Sequence, residues 1–95
     1  MGKIDTCMAF CDVVATIEKL QKQFDTHSFI DAYKRMFSSA YQNLISNYKY
    51  VEGAHKLMGK YLSIHRDALR IESSGRSRSV NVYGRKSECE LWRKV

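Results

Sequence analysis

Apolar side chains recur at intervals of three and four residues through the first half of the chain. This spacing places them on one face of a helix, because a helix turns once about every 3.6 residues. The first stripe predicts a helix over about residues 8–23. Two more predict helices over 28–37 and 39–48, each starting near a serine with the spacing of a capping box. The stripes are Phe10, Val13, Val14, Ile17, Leu20 and Phe24; Phe29, Tyr33, Met36 and Phe37; Tyr41, Leu44, Ile45 and Tyr48.

A fourth helix is predicted over about 54–65, with two faces of different chemistry. The core side collects Ala54, Leu57, Met58, Tyr61 and Leu62, and the opposite side collects Lys56, Gly59, Lys60, Ser63 and Arg66. Three cations separated by two small residues would let a nucleic-acid backbone or base edge approach closely. The alternative is a solvated helix surface, which often carries Lys and Arg.

After this helix the hydrophobic period changes to two, which is typical of half-buried strands. Leu69 and Ile71 alternate with polar residues, as do Val80 and Val82. The stretch SSGRSR between them has the composition of a turn, so an antiparallel hairpin is predicted over about 68–83. A last short strand is predicted over 88–94. Its Trp92 should pack over the hairpin and donate its N–H to a backbone acceptor, the alternative being an exposed platform for stacking on bases.

The net charge of +6 lies entirely in the second half of the chain. Residues 1–48 contain five Lys or Arg and five Asp or Glu, whereas residues 49–95 contain eleven cations and five acids. Such asymmetry indicates a polyanionic partner, and it concerns association rather than fold.

Length and cysteine content narrow the class of protein. A chain of 95 residues is long enough for a single domain, 1–95, and too short for two independent cores. No apolar run approaches the roughly 20 residues that span a bilayer, so a cytoplasmic or nucleoid-associated protein is expected, not a secreted one. Cys7 and Cys11 lie one helical turn apart, but only His27 is near and no fourth zinc ligand follows. We expect reduced, buried cysteines and no metal or cofactor.

Several helices, a cationic helix just before a hairpin, and an Arg/Ser/Gly-rich segment resemble the winged helix-turn-helix family of DNA-binding domains, an α+β fold. The resemblance covers about residues 8–92 and depends on element order and charge placement. It implies that a recognition helix over 54–66 enters the major groove and that a wing over 73–78 contacts the backbone or minor groove. The implied DNA contacts are Lys56, Lys60, Ser63 and Arg66 on the helix, and Arg76 and Arg78 on the wing. Apart from the resemblance, Arg85 and Lys86 on a turn are expected to neutralise phosphates, and Asn81 and Tyr83 on the strand face away from the core to bond phosphates or sugars.

The expected function is therefore binding of double-stranded DNA, as a small transcription regulator or an accessory DNA-binding subunit. A homodimer would multiply the specificity of one short recognition helix. The alternatives are a winged-helix module that binds another protein, and an RNA-binding protein. An enzyme is not expected, because no catalytic motif is present and the histidines His27, His55 and His65 are scattered along the sequence.

Overall fold

The computed structural model describes residues 8–48, 51–80, 84 and 86–95 of an α+β protein. In the described part of the chain, helices precede a hairpin, and one short strand lies between the first two helices. The elements are α1 (Phe10–Glu18), β1 (Gln23–Asp25), α2 (Thr26–Met36), α3 (Ser38–Ser46), α4 (Val51–Ile64), α5 (Arg66–Leu69), β2 (Ile71–Val80) and β3 (Lys86–Lys94). None of the described helices is both long enough and apolar enough to cross a membrane.

Three of the predicted helices are confirmed to within a few residues, as α2, α3 and α4. The prediction for the first helix was wrong at its C-terminal end. Helix α1 ends at Glu18, where the backbone tightens: the N–H groups of Lys19 and Leu20 bond to carbonyls only three residues back, at 3.1 and 3.0 Å. The chain then turns, and residues 23–25 form β1. Phe24 is buried as expected, but it belongs to this strand and not to the first helix.

The hairpin of the structure differs from the predicted one, because its two strands are residues 71–80 and 86–94. The strands of the sheet are antiparallel in the order β1–β3–β2, and β2 pairs with β3 from Ile71 opposite Lys94 to Val80 opposite Lys86. The predicted turn SSGRSR lies inside β2, which is bulged between Ser73 and Gly75, where Gly75 has a positive φ of 132°. The predicted strand 88–94 is confirmed, but as the partner of β2. Leu69 belongs to α5 and not to a strand.

The core lies between the helices and the sheet. On the predicted core side of α4, Ala54, Met58, Tyr61 and Leu62 are buried, whereas Leu57 is only partly buried. Trp92 is 2% exposed, so it packs in the core as expected and is not a platform for bases. Its indole N–H donates to Oγ1 of Thr26 at 3.1 Å, a side-chain acceptor where a backbone acceptor was expected.

Candidate nucleic-acid interface

Helix α4 presents three of the predicted contact residues on one face. Lys56, Lys60 and Ser63 follow the three- and four-residue spacing of a single helix face; the two lysines are exposed and Ser63 is half-buried. Arg66, the first residue of α5, is also exposed, and its Nη1 donates to the carbonyl of Ser63 at 3.2 Å. Among the described residues, none of these three cations forms an ion pair.

Gly59 lies where α4 meets the start of α2. A Cβ built on Gly59 would lie 3.4 Å from Cγ2 of Thr26, the first residue of α2. This is an ordinary van der Waals distance, so the small residue lies at a contact between two helices of the protein. Gly59 is half-buried, and the approach of a base edge to it stays a prediction.

A groove of about 510 Å³ separates α4 from the start of α2 and from β3. Lys56 and Ser63 border it from the α4 side, whereas Glu88 and Glu90 border it from β3. His27 and His55, far apart in sequence, both line it. The groove therefore brings a cationic helix face and two acids together, which lowers the local positive potential. Its lining residues are Thr26, His27, Ile30, His55, Lys56, Gly59, Ser63, Ser87, Glu88, Cys89, Glu90 and Trp92.

Arg76 and Arg78 lie within strand β2 and not at a turn. Arg76 reaches the carboxylates of Glu90 and Glu88, with N–O distances of 3.5 and 3.9 Å. Arg78 is exposed and lies opposite Glu88 in the register of the two strands. Lys86 is exposed at the start of β3.

The implied wing of residues 73–78 is thus part of a paired strand, and acids neutralise one of its two arginines. Asn81, Tyr83 and Arg85 lie outside the described residues.

Sequence reasoning missed a polar cluster at the start of α2. Asp25 is the N-cap of this helix and accepts a hydrogen bond from the backbone N–H of Ser28 at 2.8 Å. The spacing of Ser28 and Asp31 had suggested a capping box that starts at Ser28, but the residue that caps α2 is Asp25. Asp25 is only 8% exposed, and its second carboxylate oxygen accepts from Oγ of Ser77 on β2 at 3.0 Å.

Hydrogen bonds determine the ionisation of Asp25. Burial raises the pKa of its carboxyl group, whereas the Ser28 N–H and three serine hydroxyls lower it by donating to the charged form. The net result is a pKa below the ordinary value of 3.8. Asp25 is therefore a buried carboxylate at neutral pH.

His27 connects α2 to both strands of the hairpin. Its Nδ1 lies 2.8 Å from Oγ of Ser79 on β2, and its Nε2 lies 3.1 Å from Oγ of Ser87 on β3. The sequence did contain a signal for this cluster. Ser77 and Ser79 alternate with Arg76 and Arg78, the period of a strand with serines on one face and arginines on the other.

Metal-binding chemistry gains no support from the described ranges, where no three His, Cys, Asp or Glu side chains are grouped so as to hold an ion. Cys89 is buried as expected, but Cys11 is exposed, contrary to expectation. Cys7 lies outside the described residues. No protein-family model, no curated protein and no solved structure matches the chain.

Proposed function

We propose that this protein is a winged-helix protein without catalytic activity that binds double-stranded DNA, as a transcription regulator or an accessory subunit. In this proposal α4 enters the major groove, and the exposed cations of the β2–β3 hairpin contact the neighbouring backbone. The winged-helix resemblance implies a cationic helix just before a two-stranded hairpin, and α4 precedes the β2–β3 hairpin with the short helix α5 between them. The proposal extends to a homodimer, in which two such helices would read paired half-sites.

One observation carries the proposal: Lys56 and Lys60 are exposed on one face of α4 and have no acidic partner among the described residues. A helix fits the major groove, which is about 12 Å wide, and lysines on its outer face would neutralise phosphates and release counterions. Arg66 adds a third cation just beyond the end of α4.

The acids along β3 set the expected strength of binding. Glu88 and Glu90 line the groove beside α4 and engage Arg76, so the hairpin contributes less positive charge than its sequence suggests. Among the described residues of the hairpin, Arg78 and Lys86 are the exposed cations without an ion pair, since Arg93 pairs with Glu72. We therefore expect helix α4 to supply most of the electrostatic affinity and the hairpin a smaller share.

Fluorescence anisotropy with a random-sequence duplex tests the proposal. The wild-type protein should bind with an affinity that falls steeply as salt rises, because counterions are released from the DNA. Replacing both lysines, Lys56→Ala with Lys60→Ala, should weaken binding and reduce the slope of log K against log salt by about 2, or about 1 per lost phosphate contact. Lys19→Ala is the matched control, since it removes an exposed cation from the end of α1.

Three results would contradict the proposal: no binding to duplex at low salt, binding that does not depend on salt, or equal losses in the α4 and Lys19 variants. A single-stranded RNA of the same length provides the comparison with the RNA alternative. Tighter binding to this RNA than to the duplex would favour that alternative.

Protein binding is the second candidate, and an exposed apolar pair favours it. Phe10 is 43% exposed and Ile64 is 54% exposed. The Phe10 ring lies 6.5 Å from the ring of His65, the neighbour of Ile64 in the chain. Sedimentation velocity over a range of concentrations tests whether this region self-associates. Loss of association in a Phe10→Ser variant that still binds DNA would assign the two surfaces to separate partners.

A further inference from the structure

The two ends of the β2–β3 hairpin are held by different means. At the proximal end, near Ile71 and Trp92, both side chains are buried and β1 adds a third strand opposite residues 91–93. The distal end, residues 76–80 and 86–90, lies outside the segment of β3 that pairs with β1, so only two strands are paired there. Its described side chains on the face toward α2 are Ser77, Ser79, Ser87 and Cys89.

The contacts between α2 and this distal face are mainly polar. The carboxylate of Asp25 binds Ser77, and the imidazole of His27 binds Ser79 and Ser87. We call these five side chains the serine latch. Because hydrogen bonds need defined directions, the latch fixes the orientation of the distal end as well as its distance from α2.

One direction within the latch follows from chemistry alone. A carboxylate only accepts, so the hydroxyl of Ser77 donates to Asp25 at 3.0 Å. Each ring nitrogen of His27 lies within hydrogen-bond distance of a serine hydroxyl, which both donates and accepts, so either neutral tautomer of the ring satisfies both contacts.

We propose that Asp25 and His27 are positioning residues that hold the distal hairpin against α2 and so align Arg78 and Lys86 with the lysines of α4. This inference depends on the proposed DNA binding, because it assigns the hairpin cations to the same ligand. Neither Asp25 nor His27 needs to touch DNA. Opening the latch should weaken DNA binding while every cation of the surface stays in place.

The first experiment needs no DNA. His27→Leu removes both hydrogen bonds of the ring, whereas His27→Gln keeps an amide that can reach a serine at each end. Hydrogen exchange in the distal segments 76–79 and 86–89 should accelerate by roughly 10-fold in the Leu variant, and much less in the Gln variant. Exchange near Ile71 and Trp92 should stay as in the wild type.

Equal exchange at the distal end in the wild type and the Leu variant would overturn the latch. So would faster exchange spread evenly over the whole sheet, because that would indicate global destabilisation.

The second experiment is a double-mutant cycle on affinity for duplex DNA. His27→Leu alone should weaken binding several-fold, and the pair Arg78→Ala with Lys86→Ala should weaken it by a similar factor. Combining all three changes should cost little more than either alone, because the latch acts through those cations. The fold-losses of affinity caused by His27→Leu and by Lys56→Ala should instead multiply, because Lys56 lies on α4 and does not depend on the latch. The Gln variant should bind nearly as well as the wild type.

The two experiments separate the two proposals. Independent effects of His27→Leu and the hairpin cations would overturn the positioning role, even if DNA binding stands. If the wild-type protein does not bind duplex, the proposed function and the positioning role fail together. Hydrogen exchange would still decide whether the latch holds the hairpin.

Discussion

The proximal and distal ends of the β2–β3 hairpin belong to the same two strands but depend on different chemistry. The proximal end buries Trp92 and Ile71 in the core, whereas the distal end meets α2 through serines that bind Asp25 and His27. Apolar burial is non-directional and nearly independent of pH. A hydrogen-bonded carboxylate is directional and depends on pH. The attachment of the hairpin should therefore be independent of pH at its proximal end and dependent on pH at its distal end.

Removing the apolar anchor should have the largest effect. We expect Trp92→Ala to lower the free energy of unfolding by about 3–5 kcal/mol, because it leaves a large cavity in the core and removes the bond to Thr26. Urea denaturation followed by circular dichroism measures this loss. Trp92→Phe is the control, since it keeps most of the apolar volume and should cost clearly less. A loss below about 1 kcal/mol for Trp92→Ala would show that the proximal end is not anchored by this side chain.

Removing the polar anchor should cost less and should depend on pH. We expect Asp25→Ala to lower the free energy of unfolding by about 1–3 kcal/mol, from the lost helix cap and the unpaired serines. Asp25→Asn should cost less than Asp25→Ala, because asparagine also caps helices. Urea denaturation at neutral pH measures both losses.

The sign of the pH dependence follows from the lowered pKa of Asp25. The folded carboxyl group binds a proton less readily than the unfolded one, whose pKa is about 3.9. Its contribution to stability is therefore fully present above about pH 5 and is lost as the pH falls through the folded pKa. Melting temperatures measured between about pH 5 and pH 2 should fall less steeply for Asp25→Asn than for the wild type. Parallel curves would mean that Asp25 does not control this acid limb.

Local patterns predicted the helices well and the sheet poorly, for physical reasons. The apolar stripe of α4 follows from its own sequence, because one face of a helix must be buried. The pairing of β2 with β3, in which Ser77 lies opposite Cys89, joins residues that are distant in sequence. The hydrophobic period within one strand therefore does not predict it. The serines and the glycine of β2 were interpreted as turn residues. Ser77 and Ser79 instead bond Asp25 and His27, two partners that only the folded structure reveals.

The candidate site divides in the same way. The exposure of Lys56 and Lys60 could be predicted from helix periodicity. The pairing of Arg76 with Glu88 and Glu90 could not, because it requires the register of two strands. The serine latch also required tertiary structure, although Asp25 just before a helix is a recognisable capping signal.

Thr26 lies between Asp25 and His27 in the sequence and is bonded to Trp92, so it connects the polar and the apolar anchor of the hairpin. Substitutions at Gly59, which lies next to Thr26, measure how closely α2 and α4 are packed. The hydroxyl of Thr26 accepts from Trp92, while its methyl carbon lies 3.4 Å from the position that a Cβ on Gly59 would take. A methyl group at 3.4 Å is in ordinary contact, so Gly59→Ala should fit and stabilise α4 by up to about 1 kcal/mol. Gly59→Leu should instead force α2 and α4 apart and lower the melting temperature. Destabilisation by alanine would mean that the two helices have no room to adjust.

The smallest effect on stability is expected on the outer face of the hairpin. The Arg76 and Glu88 side chains are 60% and 65% exposed, and such surface pairs contribute about 0–1 kcal/mol. Glu88→Gln should therefore leave the melting temperature nearly unchanged. It should nevertheless tighten DNA binding, because it removes a negative charge from the groove that Lys56 borders and leaves Arg76 with Glu90 alone as an acidic partner among the described residues. Glu18→Gln, an exposed acid on α1, controls for net charge. Equal gains from both variants would mean that total charge, and not the groove beside α4, sets the affinity.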